Sequence, residues 1–174
     1  MFVKSLSECS SVNVKKTPAA SMTSFLILVV MATLNLALAG YKTRCDVVRA
    51  LRAQGVPDGD MRDWLCLVDN ESKFKYDATY INPNNRGTDN GIFQMNSRYH
   101  CDRPSGYSGT KCWKLNTDGC QDTCSSFLDS DISNDANCAV RVKTCGGFNK
   151  WAAWRDKCKG KNLAGNSAYN YSDC

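Results

Sequence analysis

Trp64-Leu65-Cys66-Leu67-Val68-Asp69-Asn70-Glu71-Ser72 is the stretch that decides how this chain is read, and Thr88-Asp89-Asn90-Gly91-Ile92-Phe93-Gln94-Met95-Asn96-Ser97 is its complement. Trp64, Val68 and Glu71 fall at i, i+4 and i+7, so a helix through them puts all three on one face. Glu71, the only glutamate beyond residue 39, then projects a carboxyl from an apolar face, where desolvation favours its protonated form. Asp89 lies in a polar run flanked by glycine, which predicts a hydrogen-bonded carboxylate that stays charged. One carboxyl to give a proton and one to remain ionised is the pair that cleavage of a glycosidic bond requires.

The chain around these stretches reads as one compact domain behind a removable leader. The length is 174 residues. Residues 24–40, SFLILVVMATLNLALAG, end in Ala37-Leu38-Ala39, the small-x-small pattern of a signal-peptide cleavage site. The apolar run of about 16 residues is interrupted by Thr33 and Asn35 and falls short of the roughly 20 that a membrane span needs. The expected division is a leader over 1–39, with its hydrophobic core at 24–39, and a domain over 40–174. Residues 1–21 make a long n-region, so Met22 competes with Met1 as the initiator.

Loss of the leader removes Cys9 and turns eleven cysteines into ten. An even set with no C-x-x-C pair predicts a disulfide framework in an oxidising compartment, and neither a zinc site nor a dithiol redox centre. Secretion to the cell exterior follows from the leader and the cysteines together. Beyond residue 39 there are 19 basic and 16 acidic side chains, a net charge of +3. That balance mildly favours anionic surfaces such as bacterial walls and does not reach the basic density of a nucleic-acid-binding domain.

Val47, Val48 and Leu51 stand at helical spacing, with Gly55-Val56-Pro57 as the stop. Met61, Trp64, Leu65 and Val68 continue the pattern into a second helix. Between Lys73 and Ser97 the character changes: Asn82-Pro83-Asn84-Asn85-Arg86-Gly87 is a turn cluster between segments that can pair as short strands. Residues 101–120 read as a stapled loop. A third helix is expected from Asp131 as N-cap, with Ile132, Ala136, Ala139 and Val140 as its stripe. Trp151, Trp154 and Cys158 predict a fourth, and the tail from Gly160 reads as irregular and pinned only at Cys174. The fold class is α+β, a mainly helical domain with a small antiparallel insert.

Taken together, residues 41–174 resemble the C-type lysozyme and α-lactalbumin superfamily, and the lysozyme-like fold is what the resemblance implies. Cys45, Cys66, Cys101, Cys120, Cys124, Cys138, Cys158 and Cys174 match its cysteine framework. The resemblance implies the pairs Cys45–Cys174, Cys66–Cys158, Cys101–Cys124 and Cys120–Cys138; spacing alone leaves their connectivity open. It also implies that Glu71 is the general acid, Asp89 the carboxylate nucleophile, and Trp151 the indole packed beside the acid. Gln94 and Asn96 match amides lining the sugar cleft. Tyr99 and His100 stand where hen-type members carry a tryptophan pair that contacts sugar rings, and a plain packing role for His100 is at least as well supported.

Three departures stand out. The Cys101–Cys120 segment is long and carries Cys112, and Cys145 is also additional; a fifth bridge, Cys112–Cys145, is the economical reading, intermolecular pairing the alternative. Asn90 occupies a position where many members have tyrosine. Asp129, Asp131, Asn134 and Asp135 fall near the calcium loop of α-lactalbumins, but a capped helix start accounts for them, and neither metal nor cofactor is assigned. The short link between Gly55 and Trp64 resembles arthropod members. The implied activity is secreted hydrolysis of β-1,4 bonds in bacterial peptidoglycan, with chitin-type oligosaccharides as secondary substrates, by a monomer that does not span a membrane. Competing readings are a non-catalytic sugar-binding or regulatory protein and a membrane-active cationic antimicrobial. Both carboxyls are present, which favours the enzyme.

Overall fold

Helix α1 (Arg44–Ala53) begins at a capping box, in which Thr43 Oγ1 accepts from the Asp46 N–H and the Asp46 carboxylate accepts from the Thr43 N–H. Its inward face is Val47, Val48 and Leu51, all without solvent exposure. A 3-10 turn, Asp58–Asp60, leads into α2 (Met61–Glu71), whose Met61, Trp64, Leu65, Leu67 and Val68 are likewise fully buried. The two helices stand where the apolar spacing places them. The computed structural model describes residues 40–174, so the expected leader, with Cys9, lies outside the described residues.

Beyond α2 the chain reverses through Lys73 and Phe74, both at positive φ, and enters a three-stranded antiparallel sheet. The strands are β1 (Thr79–Ile81), β2 (Thr88–Asn90) and β3 (Met95–Asn96), in that order, with Asp89 opposite Tyr80 on one side and Asn96 on the other. Asn90 is buried and its amide donates to the carbonyls of Thr88 and Met95, tying β2 to β3 from within. Gly91 follows at φ 77°; a Cβ there would sit 2.6 Å from Asp135 Oδ1 and collide with the Phe127 carbonyl, so only glycine fits.

Several expectations need correction. The 101–120 segment is not all loop: α3 (Cys112–Asp118) forms within it, braced by a Lys114–Asp118 ion pair one turn apart. The next helix, α4, spans Ser133–Gly146 and starts after Asp131; Ile132 occupies the N-cap position, while Asp131 accepts from the Ser133 N–H and hydroxyl. The fourth helical stretch does not include Trp151. A 3-10 turn, Phe148–Lys150, precedes Trp151, which is extended, and a π-wound turn, Trp154–Cys158, follows it. Nor is the tail held only at its end. Tyr169 is buried and donates to Asp69, Tyr171 packs against the Arg52 and Arg62 guanidinium groups, and Arg44 grips Asp173 with a two-oxygen ion pair.

Five disulfides cross the described residues: Cys45–Cys174, Cys66–Cys158, Cys101–Cys124, Cys120–Cys138 and Cys112–Cys145. The last joins the start of α3 to the final turn of α4. At the centre sits Trp64, edge-on to Phe93, Phe148 and Trp151 at centroid distances of 5.6, 4.9 and 5.7 Å. The domain is mainly helical with a small antiparallel insert.

Two stability predictions follow from this packing. Trp64→Ala is expected to lower the unfolding free energy by about 3–5 kcal/mol in a denaturant titration. Trp64→Phe should cost less, because the indole N–H is buried without a partner and no hydrogen bond is lost. The Asp135 carboxyl is also buried, and no hydrogen bond of normal geometry reaches either oxygen. Burial is the largest influence and raises its pKa to about 8; the Asp135 N–H opposes it, the Asp129 charge adds to it, and the Ile92 N–H and the Asp122 charge contribute less in opposite senses. Between the ordinary carboxyl pKa of about 4 and pH 8 the unfolded chain ionises while the folded one holds its proton, so stability falls as pH rises. Asp135→Asn should match wild type near pH 4 and melt about 5 °C higher or more at pH 8.

Candidate active site

Glu71 is the last residue of α2, on the face that carries Trp64 and Val68. Its backbone stands at the negative end of the helix dipole, which works against a second negative charge. Burial is the largest influence and raises the Glu71 pKa to about 7, and the neighbouring Asp89 charge adds to it. The Ala153 N–H and the Arg155 charge pull in the opposite direction without reversing the outcome. At neutral pH this carboxyl is poised to give up or take back a proton.

Asp89 is held in a different manner. Its Oδ1 accepts from the Asn96 amide at 2.6 Å and its Oδ2 from the Asn82 amide at 2.8 Å, so each oxygen has its own N–H donor. Asn96 comes from β3, directly opposite Asp89. Asn82 follows β1 and is the diagonal neighbour of Asp89 across the strand pair, on the same face. From the sequence it reads as part of the turn cluster and not of the site. The signal lies in the hairpin register, which the turn cluster alone does not fix.

Asn96 also connects the sheet to His100. The Asn96 backbone N–H donates to His100 Nδ1 at 3.1 Å, so that nitrogen is an acceptor and the ring proton belongs on Nε2. Burial, with a smaller contribution from the Lys150 charge, lowers the His100 pKa to about 4. The imidazole is therefore neutral over the range in which Glu71 titrates.

One cavity of about 240 Å³ brings together Glu71, Asp89, Gln94, Asn96, Tyr99, His100 and Trp151, every cleft residue expected from the sequence. Lys150 and Ala152 complete the lining and were not anticipated. Trp151 is nearly buried and its indole N–H donates to the Phe93 carbonyl at 2.9 Å, which fixes the ring in the wall. Gln94 lines the cavity, but its amide N–H groups are spent on the Gly91 and Ala78 carbonyls, so it buttresses the turn after β2. Tyr99 is exposed at the rim. A separate cavity, between Gln54 and the Arg141 side of α4, has no carboxyl in its lining.

Most polar side chains of the Asp129–Asp135 loop are hydrogen-bonded locally. Asp129 accepts from the Asp131 N–H, Asp131 serves Ser133, and the Asn134 amide donates to Ser126. The Asp135 carboxyl is the exception, buried with neither oxygen in a hydrogen bond of normal geometry. Among the described residues the one cluster of three potential ligands within 4.8 Å, Cys45, Asp173 and Cys174, includes both sulfurs of a disulfide. Among the described residues, no helix is long and apolar enough to cross a membrane.

A fold of this kind around such a carboxyl pair has close relatives. The profile of the C-type lysozyme/alpha-lactalbumin family matches residues 41–170. Lysozyme c-1 of Anopheles gambiae is 37% identical over 151 residues, which cover 87% of this chain and 96% of that protein. A lysozyme of Galleria mellonella is 40% identical over 121 residues, 70% of this chain and 93% of its own length. Lysozyme C-3 of Sus scrofa is 37% identical over 126 residues, 70% of this chain and 80% of that protein. The chain belongs to the C-type lysozyme/alpha-lactalbumin family. Within it, this is a lysozyme-type enzyme, a glycoside hydrolase.

Direct titration checks the electrostatics of the site. Carbon-13 NMR of the glutamate carboxyl should show Glu71 titrating near pH 7. Trp151→Ala, which opens the wall to water, should move that midpoint down by about one unit. A midpoint near 4.5 in wild type would show that the carboxyl is solvated.

Proposed function

We infer that this protein is a secreted lysozyme that cleaves the β-1,4 bond between N-acetylmuramic acid and N-acetylglucosamine in bacterial peptidoglycan, with chitin oligomers as secondary substrates. The observation that carries this reading is the opposed setting of two carboxyls in one cavity: Glu71 desolvated and proton-holding, Asp89 gripped by two amides. Lysozyme is the type example of such a division, so the chemistry follows a known pattern.

In the first step the Glu71 proton passes to the glycosidic oxygen as the bond from it to the anomeric carbon breaks. Asp89 attacks that carbon from the opposite face, giving a covalent glycosyl ester and releasing the leaving sugar as an alcohol. In the second step water attacks the same carbon, Glu71 carboxylate takes the water proton, and the Asp89 carboxylate departs. The anomeric configuration is retained. Carboxyl groups of retaining enzymes stand about 5–5.5 Å apart, which Asp89 and Glu71 must approach in the productive complex. Asn82 and Asn96 hold Asp89 in place for attack, and Trp151 keeps water from the acid. The leader over 1–39 would deliver the domain to the exterior, where its disulfides persist, as a monomer.

Clearing of a bacterial wall suspension tests this. Glu71→Gln should reduce the rate by about 100-fold or more, while the fold, read by circular dichroism, stays intact. The kcat/KM of wild type should decline above about pH 7 as Glu71 loses its proton. NMR of the first-formed product should show the β anomer. An inverted product, or a Glu71→Gln variant that clears walls at the wild-type rate, would overturn the assignment.

A further inference from the structure

Lys150 is the one cation among the residues lining the carboxyl-bearing cavity. It also lines the adjoining cavity of about 350 Å³, together with Tyr99, His100, Leu115, Asn116 and Val142, where it is again the only charged group. It therefore stands at the junction of the two, beside the reacting centre and facing the run of the cleft toward α3. Among the described residues no carboxylate lies within ion-pairing distance of it, whereas seven other pairs are formed, so its charge is not consumed by the fold.

Its placement is built and not incidental. The aliphatic stem lies against Gly146, where a Cβ would collide with Lys150 Cε and crowd Cδ and Cγ. Gly146 is within α4 and is not at positive φ, so the backbone does not require glycine there; a methyl group at this position would displace the Lys150 stem. The Lys150 charge is near enough to His100 to help lower its pKa.

A neutral chain of N-acetylglucosamine has nothing for an ammonium group beyond ordinary hydrogen bonding. A peptidoglycan strand carries a carboxylate on alternate units, either the free lactyl ether acid of the muramic residue or acids of its stem peptide. Such a strand, entering a cleft that already holds the Asp89 carboxylate, meets like-charge repulsion unless a cation offsets it. We propose that Lys150, seated in the Gly146 notch, is a specificity-determining residue that binds a carboxylate of the glycan strand and so favours acidic over neutral β-1,4 glycans. This rests on the reading of the cavity as a glycan-cleaving site and names the charge class that the site prefers.

The test is calorimetric binding in the Glu71→Gln background, where turnover is removed. The probes are chitotetraose, the peptide-free tetrasaccharide of alternating N-acetylglucosamine and N-acetylmuramic acid, and the same tetrasaccharide bearing stem peptides. The readout is the affinity ratio of an acidic probe to chitotetraose. At low ionic strength Lys150→Met should lower that ratio about fivefold, Lys150→Arg should preserve it, and high salt should shrink it in the parent. Gly146→Ala, which displaces the stem without touching the charge, should lower the ratio as well. A preference confined to the peptide-free probe assigns the lactyl carboxylate, and one confined to the peptide-bearing probe assigns the stem. A ratio unmoved by Lys150→Met, or lowered equally by Lys150→Arg, overturns the proposal. Activity of the parent sequence is scored separately. If it hydrolyses neither glycan while the ratio behaves as expected, the enzymatic reading fails and the charge recognition stands; if it hydrolyses both while the ratio is unmoved, only the charge recognition fails.

Discussion

The indole of Trp64 is the contact on which the placement of the site depends. It lies on α2 and anchors the helix that ends in Glu71, and its ring is met edge-on by Phe93 from the turn between β2 and β3. Phe148 and Trp151, from the segment after α4, close the remaining sides. The Trp151 N–H then reaches back to the Phe93 carbonyl, so the sheet turn and the wall beside Glu71 are bonded to each other around the same ring. Interiors are close-packed and relax only partly when a group is removed. A shift of this cluster would therefore move the acid, the turn leading from Asp89 and the indole wall together, which is a stronger constraint on their relative positions than any one hydrogen bond.

Within that frame the two carboxyls are divided by solvation and by donors. Glu71 has the end of a helix behind it and an apolar wall beside it, and its proton is retained because a charge there is poorly solvated. Asp89 sits mid-strand with one amide on each oxygen. The amide on Oδ1 belongs to a residue whose own backbone N–H is committed to His100 Nδ1. A protonated imidazole could not accept that bond. The low pKa of His100 thus keeps β3 and the Asn96 side chain in register with Asp89 at any pH where Glu71 is working. The histidine supports the site by staying neutral, and it need not exchange a proton with substrate.

Much of this was legible in the chain, and the limits have physical causes. Trp64, Val68 and Glu71 could be placed on one face because a long, strongly periodic helix is set by its own burial pattern. The sheet was legible through its turn cluster, yet Asn82 was not legible as part of the site, since a diagonal partner depends on the register and one residue of slip would send it to the other face. Helix α3 escaped because its only buried side chain is Leu115 and Trp113 is exposed, so no apolar period announces it; the Lys114–Asp118 pair and the Cys112–Cys145 bridge support it instead. The spacing of Trp151, Trp154 and Cys158 suggested one helix, but tertiary demands prevailed. Trp151 is drawn into an extended conformation that delivers its N–H to Phe93, and Trp154 turns to stack on Phe148 and donate to Asp63. The tail read as loose because Tyr169 and Tyr171 find their partners on α1 and α2, far away in sequence.

The covalent framework bears on why so strained a centre can persist. Glu71 and Asp135 both keep protons that water would take at neutral pH, and the Trp64 N–H is buried without an acceptor. Each of these opposes folding, the carboxyls increasingly so as pH rises from about 4 toward 8. Two of them flank the same turn: Asp135 lies under Gly91, which follows the strand that carries Asp89, and Trp64 packs on Phe93 two residues further along. A domain of this size has only a modest margin of stability to set against such terms. Five disulfides act on the other side of the equilibrium, since each restricts the unfolded chain and so raises the relative stability of the native state. Their effects are not additive, because each bridge shortens the loops left for the others. Cys112–Cys145 closes a segment of 33 residues within chain already constrained by Cys101–Cys124 and Cys120–Cys138. Its distinctive contribution is accordingly local: it fixes α3 against the last turn of α4, next to Gly146 and the cavity that Lys150 shares with the two carboxyls.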